Sequence, residues 1–302
     1  MPNSLSIAKE HISQISDIAT NYVQNDKSLF DHFIHSYYQP LHQETAEAIS
    51  NTDLAGMALH HFTLLKSYDG KKPQLAILNP KAEEQHFHSS HTVIQIVAYD
   101  RPFLVDTILM SLEAQGIDVH RTYNIIISVA RDDDGNIVHI EGAHESATSH
   151  LSLIHCEIAY QDNEELAALQ ELLLAKVDTL DTVVGDWKQM REKLTSIQSE
   201  LSKKPLPEVF YSQKEIQAFL DWILDDHFIF LGYREYRLEG GSMMDVNSDA
   251  TNAKNADLDL FAIGNSGLGL LRGAEEDKLS ESFSQLPTVL KQLLTEPRVL
   301  ML

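Results

Sequence analysis

Between Leu166 and Leu201 the apolar residues Leu166, Leu169, Leu173, Val177, Leu180, Val184, Trp187, Met190, Leu194, Ile197 and Leu201 succeed one another in steps of three or four. Such steps keep side chains on one face of a helix, so the run predicts an α-helix of about ten turns. It starts near Asp162 or Asn163, and Gly185 is the residue able to interrupt it. A helix this long outreaches a small sheet. Part of its seam therefore needs a second surface, on a later domain or a partner subunit.

Composition narrows the partners. In 302 residues, 45 Asp and Glu stand against 23 Lys and Arg, a formal charge of −22. That surface repels a phosphate backbone, so no nucleic-acid partner is expected. With 43% hydrophobic and 23% charged residues the chain reads as a folded protein, long enough for about two domains. No apolar stretch reaches the roughly 18 uninterrupted residues of a membrane span. The N-terminus has no basic region, and Ile7, Ile12, Ile15, Ile18 and Tyr22 recur at helical spacing where a signal peptide would have an apolar block. No membrane partner is expected. The single cysteine, Cys156, cannot form an internal disulfide and lies in an apolar run, which predicts core packing in a reducing, cytoplasmic setting.

Residues up to Leu65 read as helices. Leu29, Phe33 and Tyr37, beside Phe30, Ile34 and Tyr38, form two rows at i, i+4, i+8, and Pro40 closes that helix. Asp53 is placed to cap another, whose Leu54, Met57, Ala58, His61, Phe62 and Leu65 share a side. Strands follow at 74–78 and 92–99. A helix then opens at Asp100, with Pro102 in its first turn, and stops at Gly116. Residues 117–131 predict a long strand, 132–136 a hairpin turn, 137–141 its return and 151–160 a further strand. Ser202 to Pro207, with two prolines, is the expected domain boundary. Beyond it Ser212 and Glu215 form a capping box, 228–238 reads as an aromatic-rich strand, 245–257 as a polar loop, 260–263 and 267–271 as strands, and 287–294 as a helix. The apolar run 298–302 reads as a strand with no turn after it, which predicts that the last module is cut short. The expected organisation is an α+β chain: a helical region with a short strand over 1–85, a sheet with a long helix over 86–202, and a truncated α+β module over 203–302.

Few residues carry chemistry. Gly267 and Gly269 give a G-x-G, but Arg272 stands where a dinucleotide-binding loop has its third glycine, so the segment predicts a turn and no cofactor-binding residue. His86, His88 and His91 are close in sequence, yet no ligand of established spacing completes a metal site, and none is expected. The carboxylates at 132–134 and 225–226 fit a turn and a helix end, and no catalytic residue is assigned. The strand-helix-strand-hairpin-strand-helix order over 91–180 approximates the βαββαβ order of small regulatory sheets. At its centre Asp100, Arg101, Pro102, Phe103 and Leu104 join the first strand to the helix that Gly116 ends. Amides at that helix start can receive an anion, unless Asp100 caps them.

His91-Thr92-Val93, Asp100 to Thr107, Phe230 to Tyr236 and Gly267 to Arg272, in this order and spacing, resemble the N-terminal region of the large bacterial NAD-specific glutamate dehydrogenases. Phe33 to Tyr38 and Leu75 to Pro80 resemble the opening of the same region. The resemblance implies a much longer parent that oxidises L-glutamate to 2-oxoglutarate and ammonia with NAD, catalysis lying in a later domain. It also implies that residues 86–202 are an ACT-like, ferredoxin-like βαββαβ module serving regulation and assembly, in a homo-oligomer and against other domains of the parent. NAD then belongs to the parent, and this segment holds no cofactor. Amino-acid-sensing ACT domains have a loop resembling D-x-P-G; here Phe103 replaces that glycine, which sets an assembly role against an amino-acid effector. The candidate effector or interface loop is Asp100, Arg101, Pro102, Phe103 and Leu104, with Gly116.

Overall fold

The two aromatic rows of residues 29–38 become one buried helix face. A computed structural model describes residues 7–142, 150–203, 212–239, 259–273 and 278–279. Its N-terminal layer comprises α1 (Lys9–Ala19), α2 (Lys27–Tyr38), α3 (Gln43–Glu47) and α4 (Asn51–Ser67). Phe30, Phe33, Ile34, Tyr37 and Tyr38 are buried in it. Fully burying an aliphatic or aromatic side chain of this size contributes about 1.5–3 kcal/mol. α2 stops at Tyr38, before Pro40. α4 begins earlier than expected: its cap is Ser50, whose hydroxyl accepts the Asp53 amide at 3.1 Å. Asp53, expected as the cap, instead lies in the first turn, where the positive helix end favours a carboxylate.

Next come β1 (Gln74–Leu78), the short α5 (Ala82–Gln85), β2 (Thr92–Tyr99), α6 (Leu104–Ala114), β3 (Val119–Arg131), β4 (Ile137–Gly142), β5 (His150–Ile158) and α7 (Asn163–Lys203). The strands form one antiparallel sheet in the order β1-β2-β5-β3-β4. This is the ACT-like order with one strand added and one exchanged. In sequence β4 is inserted between β3 and β5 and forms an extra edge beside β3; where βαββαβ has a last strand after its second helix, α7 runs on as helix, and β1, from ahead of the repeat, pairs on the outer side of β2. The β3–β4 turn is held as expected by Asp132, whose carboxylate accepts the Asp134 and Asn136 amides, while Gly135 takes φ +85°.

The central strands β2 and β5 are buried on both faces, because both faces are covered. On one, Val93, Val97, Ile125, Ile127, Leu151 and Leu153 share a core with the N-terminal helices. On the other, Ile94, Ile96, Ile154, Cys156 and Ile158 are equally buried, as are Leu104, Ile108 and Leu112 of α6 and Leu169, Leu173 and Val177 of α7. Cys156 is the core residue its sequence context predicted. Burial pushes its thiol up to about 11.

The chain divides into two compact units, Met1–Val177 and Asp178–Leu302. α7 passes through Gly185 without a break. From Leu180 onward its buried residues are Val183, Asp186 and Met190, not the expected Val184 and Trp187; Trp187 is 43% exposed under the Arg191 guanidinium. The buried row shifts because Asp186 has partners of its own on that side, given below. α8 (Gln213–Trp222) opens with the predicted box of Ser212 and Glu215. After a π-helical turn the expected single strand over 228–238 is split into β6 (Gly232–Tyr233) and β7 (Tyr236–Glu239). Between them Glu235 turns to the 263–266 segment, its carbonyl accepting the Ile263 amide at 2.8 Å and its amide donating to Ser266 Oγ at 3.0 Å. β7 pairs with β8 (Asp259–Ala262), β6 with β9 (Leu268–Gly269), and β8 with β10 (Lys278–Leu279). The proline pair at the expected boundary, the 245–257 loop, the 287–294 helix and the 298–302 strand lie outside the described residues.

Candidate functional site

The loop that joins β2 to α6 is held by its backbone. Asp100 donates its amide to the His150 carbonyl at 2.9 Å, and Arg101 Nη1 donates to the Tyr99 carbonyl at 2.9 Å. Asp100 and Pro102 are exposed, Arg101 and Phe103 half-buried, and Leu104 buried. The helix starts at Leu104, so the capping position falls on Phe103, and no side chain caps it. Asp100, considered above as the cap, is too far upstream of the first turn. Phe103 has φ +67°, the left-handed conformation that glycine takes without penalty. A benzyl side chain thus sits at a backbone conformation that suits a glycine.

Gly116 lies at the opposite end of α6. Its φ of +70° closes the helix through Ile117 N–H to the Leu112 carbonyl at 3.0 Å. At 1.5 Å per residue, the 12 steps from Leu104 put it about 18 Å away. The candidate set is therefore one loop plus a remote helix stop, not one constellation. Residues that sequence reasoning missed support the loop instead. Tyr68, buried, meets Tyr99 ring to edge with centroids 6.0 Å apart. Arg131 Nη2 donates to the Tyr68 carbonyl at 2.7 Å and its guanidinium lies over the Tyr68 ring. Burial pushes the Tyr68 phenol up to about 12.

A buried polar ladder crosses the sheet. Gln95 on β2 stands opposite His155 on β5, which stands opposite Tyr123 on β3. Gln95 donates to the Met57 carbonyl at 3.1 Å, and its Oε1 lies 2.6 Å from His60 Nδ1. Further along β5, Glu157 accepts from Arg121 at 3.2 Å, with His91 and His155 at 3.7 and 3.8 Å. Burial would raise the Glu157 carboxyl, but His155, Arg121 and His91 outweigh it and hold it below the usual range. Of the histidines clustered in sequence, His86 packs on Tyr22 and His88 donates its amide to Asp53, so they do not converge with His91. Among the described residues no group of three or more His, Cys, Asp or Glu side chains is arranged to hold a metal ion.

The glycine turn of the second unit has a definite role. Asp186, buried on α7, accepts the Gly269 amide at 2.7 Å and a two-pronged contact from Arg272, with Nε at 3.1 Å. A Cβ on Gly269 would come within 2.3 Å of the Leu231 carbonyl oxygen, and one on Gly267 within 2.0 Å of the Leu271 carbonyl oxygen. Both glycines are needed for close backbone approach, and the Gly269 amide is taken by a carboxylate. This turn does not fit a dinucleotide pyrophosphate.

Residues 33–173, which run from α2 into the first turns of α7, match the family described as glutamate dehydrogenase, ACT1 domain. The NAD-specific glutamate dehydrogenase of Pseudomonas aeruginosa is 32% identical over 200 residues, which are 64% of this chain and 12% of that protein. That of Halomonas elongata is 28% identical over 260 residues, 83% of this chain and 16% of its own length. The chain resembles the N-terminal region of the NAD-specific glutamate dehydrogenases. The Mycobacterium tuberculosis enzyme of the same name is more distant, 23% identical over 188 residues. The chain thus spans about a tenth to a sixth of the relatives it matches. Within the match fall the second half of α2 from Phe33, α3 and α4, the five-stranded sheet, and the whole loop from Asp100 to Leu104.

Proposed function

We propose that this chain is a regulatory and assembly segment of an NAD-dependent glutamate dehydrogenase, and that it supplies no catalytic group to the oxidation of glutamate to 2-oxoglutarate and ammonia. NAD is bound by the parent enzyme outside this segment. The observation that carries the reading is Phe103, left-handed at the head of α6 within the ACT1 match. A glycine there would leave the amides at the helix start open to an amino-acid carboxylate; Phe103 instead adds a half-buried benzyl group at that position. The loop then serves contact, with a second subunit or with later domains of the parent.

A second reading, amino-acid sensing, draws support from one feature: no side chain caps α6, so its first amides still favour an anion. Calorimetry with the twenty amino acids at millimolar concentration separates the two. No heat of binding is expected, and saturable binding of any one would establish sensing. Glutamate-dependent NADH formation by the 302-residue chain alone should be absent; turnover comparable to a whole glutamate dehydrogenase would overturn the non-catalytic assignment.

A further inference from the structure

At one end of the five-stranded sheet five polar side chains meet: His91 just ahead of β2, His120 and Arg121 on β3, and His155 and Glu157 on β5. In a regular strand His120 and Arg121 would point to opposite faces. The register of β3 on β5 shifts between Val119 and Arg121, so His120 is the extra residue of a bulge, a feature that re-aims a side chain. His120 accordingly lays its ring against His91, with centroids 4.3 Å apart, while Arg121 and His91 both reach Glu157. The nine steps of extended chain from His91 to Asp100 span about 30 Å, so this end of the sheet is remote from the candidate loop.

The cluster has an inner and an outer side. Glu157, only 10% exposed, accepts from Arg121 Nη1 at 3.2 and 3.4 Å. His155 is fully buried and spent inward, its Nδ1 3.2 Å from Gln95 Nε2 and its Nε2 3.8 Å from Glu157. Arg121 and His91 are 35% and 34% exposed, and His120 is exposed. Among the described residues Arg121 Nε and Nη2, His91 Nε2 and the His120 ring nitrogens have no hydrogen-bond partner, and those of Arg121 and His91 are open to solvent. Glu157 thus fixes the guanidinium by one nitrogen and leaves the others for an outside acceptor. Such a surface receives an anion with several acceptor oxygens. The one carboxylate balances the one guanidinium, and a proton on each outer imidazole leaves two positive charges, which a phosphate dianion matches. The net charge of −22 opposes a polyanion, but charges more than about 8 Å away are screened at physiological ionic strength, so one small anion responds to its local surroundings.

We propose that His91, His120 and Arg121 form a binding site for a phosphoryl group, as free phosphate or a phosphate monoester, with Arg121 its anchor and the buried Glu157 the residue that positions Arg121. The site is separate from the loop at Asp100 to Leu104, and the proposal stands whether or not the chain is regulatory.

The test is an NMR titration of the whole 302-residue chain at pH 6.5 with inorganic phosphate, alongside methyl phosphate and acetate, read from the histidine ring signals. Those of His91 and His120 should move together and saturate, while those of His32 and His139, an exposed pair on α2 and β4 with centroids 5.9 Å apart, stay in place. Acetate, with one charge, should bind about tenfold more weakly. Methyl phosphate binding more tightly than inorganic phosphate assigns the site to an ester, weaker binding assigns it to the free ion, and either supports the proposal. His120→Ala should weaken phosphate about tenfold, as the loss of one hydrogen bond to a charged group implies. Arg121→Gln combined with Glu157→Gln leaves no buried charge unpaired and should abolish binding; if that variant does not fold, the exposed His120→Ala supplies the test. Shifts at His91 and His120 no larger than at His32 and His139, acetate as tight as phosphate, unchanged affinity in His120→Ala, or binding that survives in the folded double variant would each overturn the proposal.

Discussion

His61 should make the first unit acid-sensitive in a way one substitution removes. The side chain is fully buried, with Nε2 3.1 Å from the Ile96 carbonyl and Nδ1 3.0 Å from the Tyr37 hydroxyl. A carbonyl only accepts, so Nε2 carries a proton, and with the ring kept neutral by burial Nδ1 accepts from Tyr37. Burial lowers its pKa from 6.5 to about 3, against a smaller opposing effect of the Ile96 carbonyl. In the unfolded chain the ring takes up a proton near pH 6.5, in the folded chain only near pH 3. Between those values the unfolded state binds more protons, so stability falls as pH falls, by about 1.4 kcal/mol per pH unit. From pH 7.5 to 4.5 the loss due to His61 is on the order of 3 kcal/mol. His61→Gln keeps a donor for Ile96 and an acceptor for Tyr37 but does not titrate. Its stability relative to the parent sequence should therefore improve by a few kcal/mol, on the order of 3, over that range. Both tryptophans, Trp187 and Trp222, lie in the second unit, so their fluorescence misses the effect. Hydrogen exchange of the β2 amides reports it directly. Equal pH slopes in the two proteins would refute the buried neutral imidazole.

Three further substitutions probe the backbone and the second unit. Phe103→Gly relieves a left-handed conformation worth about 1 kcal/mol while losing a half-buried ring, so thermal melts should shift little; the β-branched Phe103→Val should cost about 2 kcal/mol. Gly56→Ala would place a Cβ 2.2 Å from the His86 carbonyl oxygen, and since the neighbour is backbone, urea unfolding followed by circular dichroism should show a loss of about 3 kcal/mol. Asp186→Ala strands the Gly269 amide and Arg272, and tryptophan-monitored urea unfolding should lose about 2 kcal/mol. Burial would raise the Asp186 carboxyl, but the Gly269 amide and Arg272 hold it below the usual range, so this stabilisation is complete above the ordinary carboxylate range and is lost as pH falls through the lowered value.

What could be read from sequence was local. The rows at 29–38, the Asp132 turn, the box of Ser212 and Glu215 and the Gly116 stop each depend on residues within one or two turns of each other, and each has its expected form. The Asp53 cap failed for a local reason too: Ser50 offers the same chemistry three residues earlier and begins the helix sooner. What stayed hidden depends on partners far along the chain. Gln95 and His155 look like breaks in apolar strands until the register puts them opposite each other. Asp186 reads as the solvated flank of a seam until Gly269 and Arg272 arrive 83 and 86 residues later. Tyr68 and Arg131, which pack beside Tyr99 just ahead of the candidate loop, left no signal in the sequence. Phe103 was legible only through the family resemblance, since nothing in its composition or spacing announces a positive φ.

The central claim is that this segment governs assembly or control of a glutamate dehydrogenase without joining its chemistry. Removing residues 1–302 from the full-length parent, and measuring subunit count by mass photometry together with glutamate-dependent NADH formation per active site, tests it most directly. The account predicts a changed subunit count or a changed effector response, with turnover at each remaining active site retained. Complete loss of turnover in a folded truncated enzyme whose subunit count is unchanged would contradict it.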